Sequence, residues 1–251
     1  MPNHVEIERQ GNVAVYRLAR PPANAIDLEF AGELESAFTG LTSDAAPGAL
    51  VITGAGPCFC AGLDLKRVPH YGPEEQRAMV AVVNRMVTAL YACPVPLVAA
   101  VNGHAIAGGL ILVLACDYRV GTSAACQLGV TEARAGIPFP AAAMTVLKAE
   151  LSPAAARVLT LRARTVDPPT ALAQGILDEL QPPERVLTAA LAVANELAAI
   201  PSDAYARIKH RLRARPLADM RATLARGSDP MLATWLSADA ASASAALLRR
   251  T

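Results

Sequence analysis

The sequence predicts an α/β fold in which a parallel-sheet core precedes a helical C-terminal section. Strand-like and helix-like segments alternate as far as about residue 140, as they do in parallel sheets whose strands are joined by helices. Beyond that point the pattern is helical almost without interruption. Of the 251 residues, 53% are hydrophobic and 18% are charged, so a sizeable core can form. We therefore expect one large α/β domain, or such a domain with an appendage.

The individual segments support this order of elements. Residues 5–8 and 13–18 alternate apolar and polar side chains, as strands with one buried face do. Continuous apolar runs at 49–53 and 97–101 predict strands buried on both faces. Among the later helices, one begins at Asp167, because its two following prolines suit a first helical turn. The other predicted elements are a helix of about 28–41 capped by Asp27, helices at 74–90 and 108–115, and a strand at 117–120.

Charge and hydropathy argue against a nucleic-acid-binding or membrane-spanning protein. The net charge is +1 and the pI is about 7.7, which gives no broad positive field for nucleic acid. The longest apolar stretch, residues 105–116, is too short to cross a bilayer. Basic residues cluster only at 207–215, where a solvated helix face and a site for a phosphorylated ligand both remain open interpretations.

Cysteine usage and the N-terminal pattern predict a cytoplasmic protein. The five cysteines are odd in number and lack paired CxxC spacing, which is typical of reduced thiols. Residues 1–20 alternate like a strand and contain no apolar signal segment. We expect no metal site, because Cys58 and Cys60 have no second Cys or His pair to complete one.

Two short glycine-bearing segments, Cys-Ala-Gly-Leu-Asp at 60–64 and Ala-Gly-Gly at 107–109, carry the chemical signal of this chain. Each follows a strand-like run and leads towards a helix, where backbone N–H groups are left unpaired. The small residues allow a substrate carbonyl to approach the main chain. Two N–H groups converging on one carbonyl oxygen would form an oxyanion hole, which stabilises an enolate or a tetrahedral oxyanion.

Several further segments accompany these two in a characteristic order. They are residues 20–25, 54–65, 94–103, 107–109, 116–119, 129–138 and 171–178. Through them the chain resembles the enoyl-CoA hydratase/isomerase (crotonase) superfamily over essentially its whole length. The resemblance implies a crotonase-like spiral of ββα units over residues 1–195 and a helical trimerisation section at 196–251. It also implies an acyl-CoA thioester substrate and a homotrimer or a dimer of trimers.

The resemblance also assigns roles to residues of the two glycine segments and their surroundings. The two backbone oxyanion donors fall on Ala61 and Gly108, and the general base falls on Glu132. The residues expected to bind the substrate or its CoA portion are Arg20, Ala23, Ala25, Gly62, Leu63, Asp64, Lys66, Gly109, Ile111 and Lys209. The segment 66–80 is expected to line the acyl pocket.

The residue at the first of the family's two glutamate positions separates the possible reactions. Hydratases of the family use two glutamates, but here the first position is Ile111 and only the second, Glu132, carries a carboxylate. Hydration needs an activated water at C3 and a proton at C2, whereas shifting a double bond needs only one proton-transfer group. The pattern therefore resembles the Δ3,Δ2-enoyl-CoA isomerases of the superfamily. Neighbours such as Leu110 and Ile137 should desolvate Glu132 and raise its pKa.

We therefore predict an enzyme that converts a 3-enoyl-CoA to a 2-enoyl-CoA with no metal or redox cofactor, CoA being part of the substrate. Two alternatives remain. One is hydration of a 2-enoyl-CoA, with another group replacing the missing carboxylate. The other is an acyl-CoA-binding or interaction module without catalysis, which a Glu132 carboxylate pointing away from both oxyanion donors would favour.

Overall fold

A computed structural model describes residues 4–42, 46–227, 229, 242–244 and 246 of the chain. Within these residues ten strands form two sheets. The strands are β1 (Val5–Gln10), β2 (Val13–Leu18), β3 (Ala49–Gly54), β4 (Cys58–Cys60), β5 (Leu97–Val101), β6 (His104–Ile106), β7 (Tyr118–Thr122), β8 (Leu128–Gly129), β9 (Thr165–Val166) and β10 (Glu179–Gln181).

The larger sheet has six strands in the order β1-β2-β3-β5-β7-β10. The first two strands form an antiparallel pair, and every other neighbouring pair is parallel. This confirms the predicted parallel-sheet core. Its central strands β3 and β5 are buried along their whole length, as their continuous apolar sequences predict.

The helices described in the structure also follow the predicted order. They are α1 (Leu28–Thr39), α2 (Pro73–Ala92), α3 (Gly108–Leu114), α4 (Glu132–Ala135), α5 (Ala141–Glu150), α6 (Pro153–Arg162), α7 (Pro168–Ala173), α8 (Val186–Ala198), α9 (Ser202–Leu212) and α10 (Ala214–Arg226). Both predicted caps are confirmed. The carboxylate of Asp27 accepts a hydrogen bond from the Phe30 N–H at the start of α1, and Asp167 accepts one from the Thr170 N–H at the start of α7.

Helices cover both faces of the six-stranded sheet. On one face, α8 places Val186, Ala190 and Ala194 against the β-branched and alanine side chains of the parallel strands. On the other face, α1, α2 and α3 enclose the main hydrophobic core. The predicted boundary between residues 195 and 196 falls in the last turn of α8, and the division into two sections stays a prediction. No helix in the described part of the chain is long and apolar enough to cross a membrane.

A second sheet, in the order β4-β6-β8-β9, was missing from the sequence prediction. Its strands have only two or three residues, too few for an apolar-polar alternation to be recognised. The region after residue 140 is helical almost without interruption, as predicted, and the short strands β9 and β10 that lie in it were missed for the same reason. Strands β4, β6 and β8 run parallel, so their carboxyl ends meet at one edge of the sheet.

Candidate active site

Each of the three parallel strands of the small sheet is followed, within three residues, by a candidate functional group. Strand β4 leads to Leu63, β6 leads to Gly108, and β8 leads to Glu132. All three residues line one cavity, together with Ile111 of helix α3. The topology therefore brings together residues that are up to about seventy positions apart in the sequence.

The N–H of Leu63 lies in a short extended segment that pairs with Ile26. The Ile26 N–H donates to the Gly62 carbonyl at 2.7 Å, and the Asp64 N–H donates to the Ile26 carbonyl at 2.8 Å. Since successive N–H groups of an extended segment point to opposite sides, the Leu63 N–H points away from Ile26. Within the described ranges it has no hydrogen-bond acceptor, so it is available to a ligand in the cavity.

The prediction that Ala61 supplies this donor was wrong. Its N–H already donates to the Ala23 carbonyl at 3.0 Å, and that bond holds the segment in place. Ala61 and Leu63 lie two positions apart in the same motif, so the sequence alone did not separate them. The extended pairing with Ile26 does, because it reverses the direction of the N–H groups from one residue to the next.

The second donor is the N–H of Gly108, the first residue of α3. A first-turn N–H has no partner within its own helix, and among the described residues no other acceptor lies within reach. The residue before it, Ala107, has a φ of +53°, an unfavourable conformation for a side chain of its kind. That conformation turns the chain sharply out of β6 and exposes the N–H to the cavity.

The glycines explain how closely the two donor loops, the chain segments around Leu63 and around Gly108, approach each other. Gly62 has a φ of +78°, and a Cβ built on it would lie 2.6 Å from the Ala107 Cβ and 3.0 Å from the Gly108 nitrogen. A Cβ on Gly109 would lie 2.1 Å from the Cys60 carbonyl oxygen. Both positions therefore need glycine to bring the two loops together. Gly109, predicted to bind substrate, instead packs against the strand that precedes the first donor loop.

Glu132 is a buried carboxyl group without a strong partner. Only 8% of the residue is exposed, and its Oε2 atom is buried with no hydrogen-bond partner in the described structure. Burial raises the pKa of Glu132 from its ordinary value of 4.5 to about 7, while nearby main-chain N–H groups of residues 131 and 132 act more weakly in the opposite direction. A carboxyl group with this pKa can both accept and return a proton near neutral pH.

The cavity around Glu132 is apolar and narrow, with a volume of about 30 Å³. Its lining residues are Ile26, Leu63, Val83, Met86, Val87, Gly108, Ile111, Glu132, Ile137, Phe139, Pro140 and Ala143. Among these described residues, Glu132 alone has an ionisable side chain. No residue of segment 66–80 lines this cavity, and its place in the acyl pocket stays a prediction, whereas α2 contributes Val83, Met86 and Val87 to the lining. Those positions resemble ordinary core residues of an amphipathic helix, so the sequence offered no signal for them.

Other residues that were predicted to bind substrate lie beside Leu63, but their main contacts are hydrogen bonds and ion pairs within the protein. The Arg20 guanidinium donates to the Ala25 carbonyl and forms ion pairs with Asp27 and Asp64. Ala23 contributes its carbonyl to the Ala61 N–H. The side chain of Lys66 is exposed, just beyond Leu63, and its contact with CoA stays a prediction.

Lys209 is not brought to this cavity. Its ammonium is buried, donates to Asp117 Oδ2 at 2.7 Å and to the Val95 carbonyl at 2.9 Å, and lines a different cleft beside α9. Burial lowers the pKa of Lys209, and the carboxylate of Asp117 opposes that shift. The interpretation of Lys209 as a CoA contact is therefore corrected to that of an internal ion-pair partner, because both of its strong acceptors belong to the protein.

Taken together, the site has two free main-chain N–H groups and one buried carboxyl group around an apolar cavity on an α/β scaffold. This is the arrangement of an enzyme that stabilises a developing oxyanion and moves a proton beside it. The carboxyl group lines the same cavity as both donors, which removes the main structural argument for a module without catalysis.

Comparison with known proteins places this site in a family. Residues 8–241 match the model of the family described as enoyl-CoA hydratase/isomerase. A Thermus thermophilus protein named as an enoyl-CoA hydratase is 39% identical over 199 residues, 77% of either chain. Human mitochondrial enoyl-CoA delta isomerase 1 is 31% identical over 211 residues, which are 83% of this chain and 70% of the human one. The chain belongs to the enoyl-CoA hydratase/isomerase family, whose members act on acyl-CoA thioesters.

Solved structures agree with the predicted crotonase-like fold. Human mitochondrial delta3-delta2-enoyl-CoA isomerase matches with a TM-score of 0.85 and 28% identity, covering 98% of this chain and 97% of the other. A Mycobacterium tuberculosis protein matches with a TM-score of 0.82 and 32% identity, covering 90% and 98%. That protein is called an isomerase in one structure and a hydratase in another, so names within the family do not decide the reaction.

Proposed function

We propose that this protein is an enoyl-CoA isomerase that shifts the double bond of a 3-enoyl-CoA to give the 2-enoyl-CoA. The observation that carries the proposal is the single buried carboxyl group of Glu132 in an otherwise apolar cavity that it shares with two free N–H groups. A one-carboxylate site matches a reaction that moves one proton between two carbons of the same substrate.

In the proposed reaction, the thioester oxygen accepts hydrogen bonds from the N–H groups of Leu63 and Gly108. The ionised carboxylate of Glu132 removes a proton from C2, and the electron pair of that C–H bond moves into a dienolate whose negative charge lies largely on the thioester oxygen. The same carboxyl group then returns the proton to C4, which leaves the double bond between C2 and C3. No water, metal or redox cofactor takes part in these steps. Each N–H donor contributes a factor of roughly 10² to 10³ in rate.

Ile111 supports isomerisation over hydration. Its side chain is 1% exposed and lines the cavity beside Glu132, where it can neither orient a water molecule nor transfer a proton. Hydration of a 2-enoyl-CoA would need both operations at separate carbons. The names of several relatives favour the hydratase alternative, which the experiment below separates from isomerisation.

The test compares turnover of a 3-enoyl-CoA and of crotonyl-CoA by the wild type and by Glu132→Gln. We expect isomerisation by the wild type with negligible hydration, and a loss of roughly 10² to 10⁴ in the variant because the proton-transfer group is gone. Glu35→Gln is the matched control, since that carboxylate pairs with Arg85 away from the cavity. Robust wild-type hydration would contradict the isomerase assignment, and thioester binding without any turnover would favour the binding module.

The proposal extends to the assembly and the cellular setting expected from the sequence. We propose a homotrimer or a dimer of trimers in the cytoplasm. In support, α9 exposes Ile208 at 69% and Leu212 at 82%, an apolar surface that suits burial against a second copy. Sedimentation velocity of the purified protein tests the assembly, and a monomer at micromolar concentration would contradict it.

A further inference from the structure

The guanidinium of Arg20 joins the two segments that hold the Leu63 N–H in place. Its Nη1 donates to the Ala25 carbonyl at 2.6 Å, and its Nη2 donates to Asp27 Oδ2 at 2.7 Å and to Asp64 Oδ2 at 3.0 Å. Two of these acceptors flank Ile26 and the third follows Leu63. One planar group therefore holds both sides of the pairing between Ile26 and Leu63.

That pairing is the local structure that aims the donor. It consists of two hydrogen bonds, from Ile26 to the Gly62 carbonyl and from Asp64 to the Ile26 carbonyl. The pairing is a single isolated bridge, so no longer ladder of a sheet fixes its position. A guanidinium is well suited to this task, because its N–H donors have a rigid planar arrangement that fixes the distance and orientation of several acceptors at once.

The charges around Arg20 argue against a role in holding a phosphate. Its side chain is only 14% exposed, and its two carboxylate partners are at 1% and 13%. Arg67 adds a second cation on Asp27, so this group of two arginines and two aspartates has no net charge. Most of the attraction that a free guanidinium would offer to the CoA phosphates is thereby cancelled.

We propose that Arg20 is a positioning residue that sets the oxyanion donor at Leu63, and that it does not contact the CoA nucleotide. The proposal rests on the proposed function, because it assigns Arg20 to the stabilisation of the dienolate. Arg20 touches no reacting atom and acts only through the segments that it braces.

The first experiment measures kcat and KM of Arg20→Met and Arg67→Met with a 3-enoyl-CoA. Arg67→Met is the matched control, since the Arg67 side chain shares the Asp27 acceptor but donates to neither Ala25 nor Asp64, and the bond from the Arg67 main-chain N–H to the Asp64 carbonyl is kept in the variant. We expect kcat to fall about 10- to 100-fold in Arg20→Met, with KM changed less than about threefold, because a misplaced donor weakens mainly the transition state. Arg67→Met should keep kcat within about twofold. A raised KM with unchanged kcat in Arg20→Met would overturn the proposal in favour of a CoA contact.

A binding experiment tests the positioning role of Arg20 without any turnover of substrate. Two CoA ligands are compared, a saturated acyl thioester and the matching thioether, which lacks the carbonyl oxygen. We expect Arg20→Met to weaken binding of the thioester about fivefold and to leave thioether binding unchanged, since only the thioester reaches the Leu63 N–H. Equal weakening of both ligands would overturn the proposal, even if the wild type fails to isomerise any substrate and the proposed function is wrong.

Two further variants guard against a general loss of folding. Arg20→Lys keeps the positive charge but loses the planar set of guanidinium N–H donors, so its kcat should lie between those of Arg20→Met and the wild type. Arg85→Met removes a bidentate pair with Glu35 that bridges α1 and α2. It should leave kcat unchanged. If Arg85→Met lowers kcat as much as Arg20→Met does, the effect is one of stability and the proposal fails.

Discussion

The carboxyl group of Glu132 is buried and that of Asp117 is largely so, with 12% of its side chain exposed, yet the two lie in opposite electrostatic surroundings. Asp117 receives Lys209 at 2.7 Å and Arg213 at 2.9 Å, and it also accepts the Leu97 N–H at 2.8 Å. Glu132 faces an apolar cavity and has an unpaired oxygen. The comparison teaches that burial alone does not mark a functional carboxyl group in this fold. The missing partner does, because it leaves the group able to take up and release a proton.

The paired carboxylate fastens the C-terminal helices to the sheet. Lys209 lies on α9, Arg213 lies at the junction of α9 and α10, and Asp117 directly precedes β7. Arg213 also stacks over the Tyr91 ring at 4.1 Å, which ties the same junction to the end of α2. Within the basic cluster at 207–215, Lys209 and Arg213 are therefore internal ion-pair partners, while both interpretations stay open for its exposed members.

The largest expected effect comes from removing the paired carboxylate. Asp117→Ala leaves Lys209 and Arg213 buried without their main counter-charge, so we expect the free energy of unfolding to fall by about 3 to 5 kcal/mol. Urea unfolding followed by circular dichroism measures this. Glu35→Ala, which breaks an exposed pair with Arg85, should cost only about 0 to 1 kcal/mol. Equal losses in the two variants would contradict the structural role of Asp117.

Removing the unpaired carboxyl group of Glu132 should raise the free energy of unfolding, whereas removing Asp117 lowers it. The folded-state pKa of Glu132 is raised to about 7, so the folded protein holds a proton that the unfolded chain releases from about pH 4.5 upward. Stability therefore falls as the pH rises through this window, and the full cost is present above pH 7. We expect Glu132→Gln to stabilise the protein by up to roughly 3 kcal/mol at pH 8 and by little at pH 4.

Thermal unfolding of both proteins at the two pH values tests this prediction. A destabilised Glu132→Gln protein at pH 8 would mean that the carboxylate has a partner in solution. The contrast with Asp117 would then be lost, since both groups would be structural.

A smaller effect is expected when a second carboxyl group is placed in the Glu132 cavity. Ile111→Glu supplies the group that hydration lacks, so we expect hydration of crotonyl-CoA to rise at least about tenfold over the wild type. The like charge should also raise the pKa of Glu132 further and reduce isomerisation. Ile111→Gln is the matched control for size and polarity. Equal hydration by the two variants would contradict the argument from the number of carboxylates.

The sequence predicted the large sheet, the caps at Asp27 and Asp167, and a carboxyl group at Glu132 close to the second glycine segment, because these depend on local patterns and on an ordered set of motifs. It did not predict the small sheet, whose strands are too short to show a period. It also placed the first oxyanion donor on Ala61 instead of Leu63. The direction of an N–H group depends on pairing with Ile26, which lies almost forty residues away in the chain.

The roles of the charged residues were the hardest to predict. Arg20 and Lys209 were expected to meet CoA, but each donates to two or more acceptors within the protein. Their partners Asp27, Asp64 and Asp117 are spread along the chain, and no local pattern pairs them. The part of the cavity lining that α2 supplies was not predicted, because its side chains have the spacing of ordinary core residues.

The pH dependence of kcat/KM for a 3-enoyl-CoA tests the central claim, that an unpaired buried Glu132 acts as the base, most directly. The carboxylate must be ionised to remove the proton, so kcat/KM should rise about tenfold per pH unit below pH 7 and level off above it. At pH 5 the value should be roughly one hundredth of the plateau. A profile that is flat from pH 5 to pH 8 would contradict the account, because it would mean that the base is already ionised and therefore has an ordinary pKa.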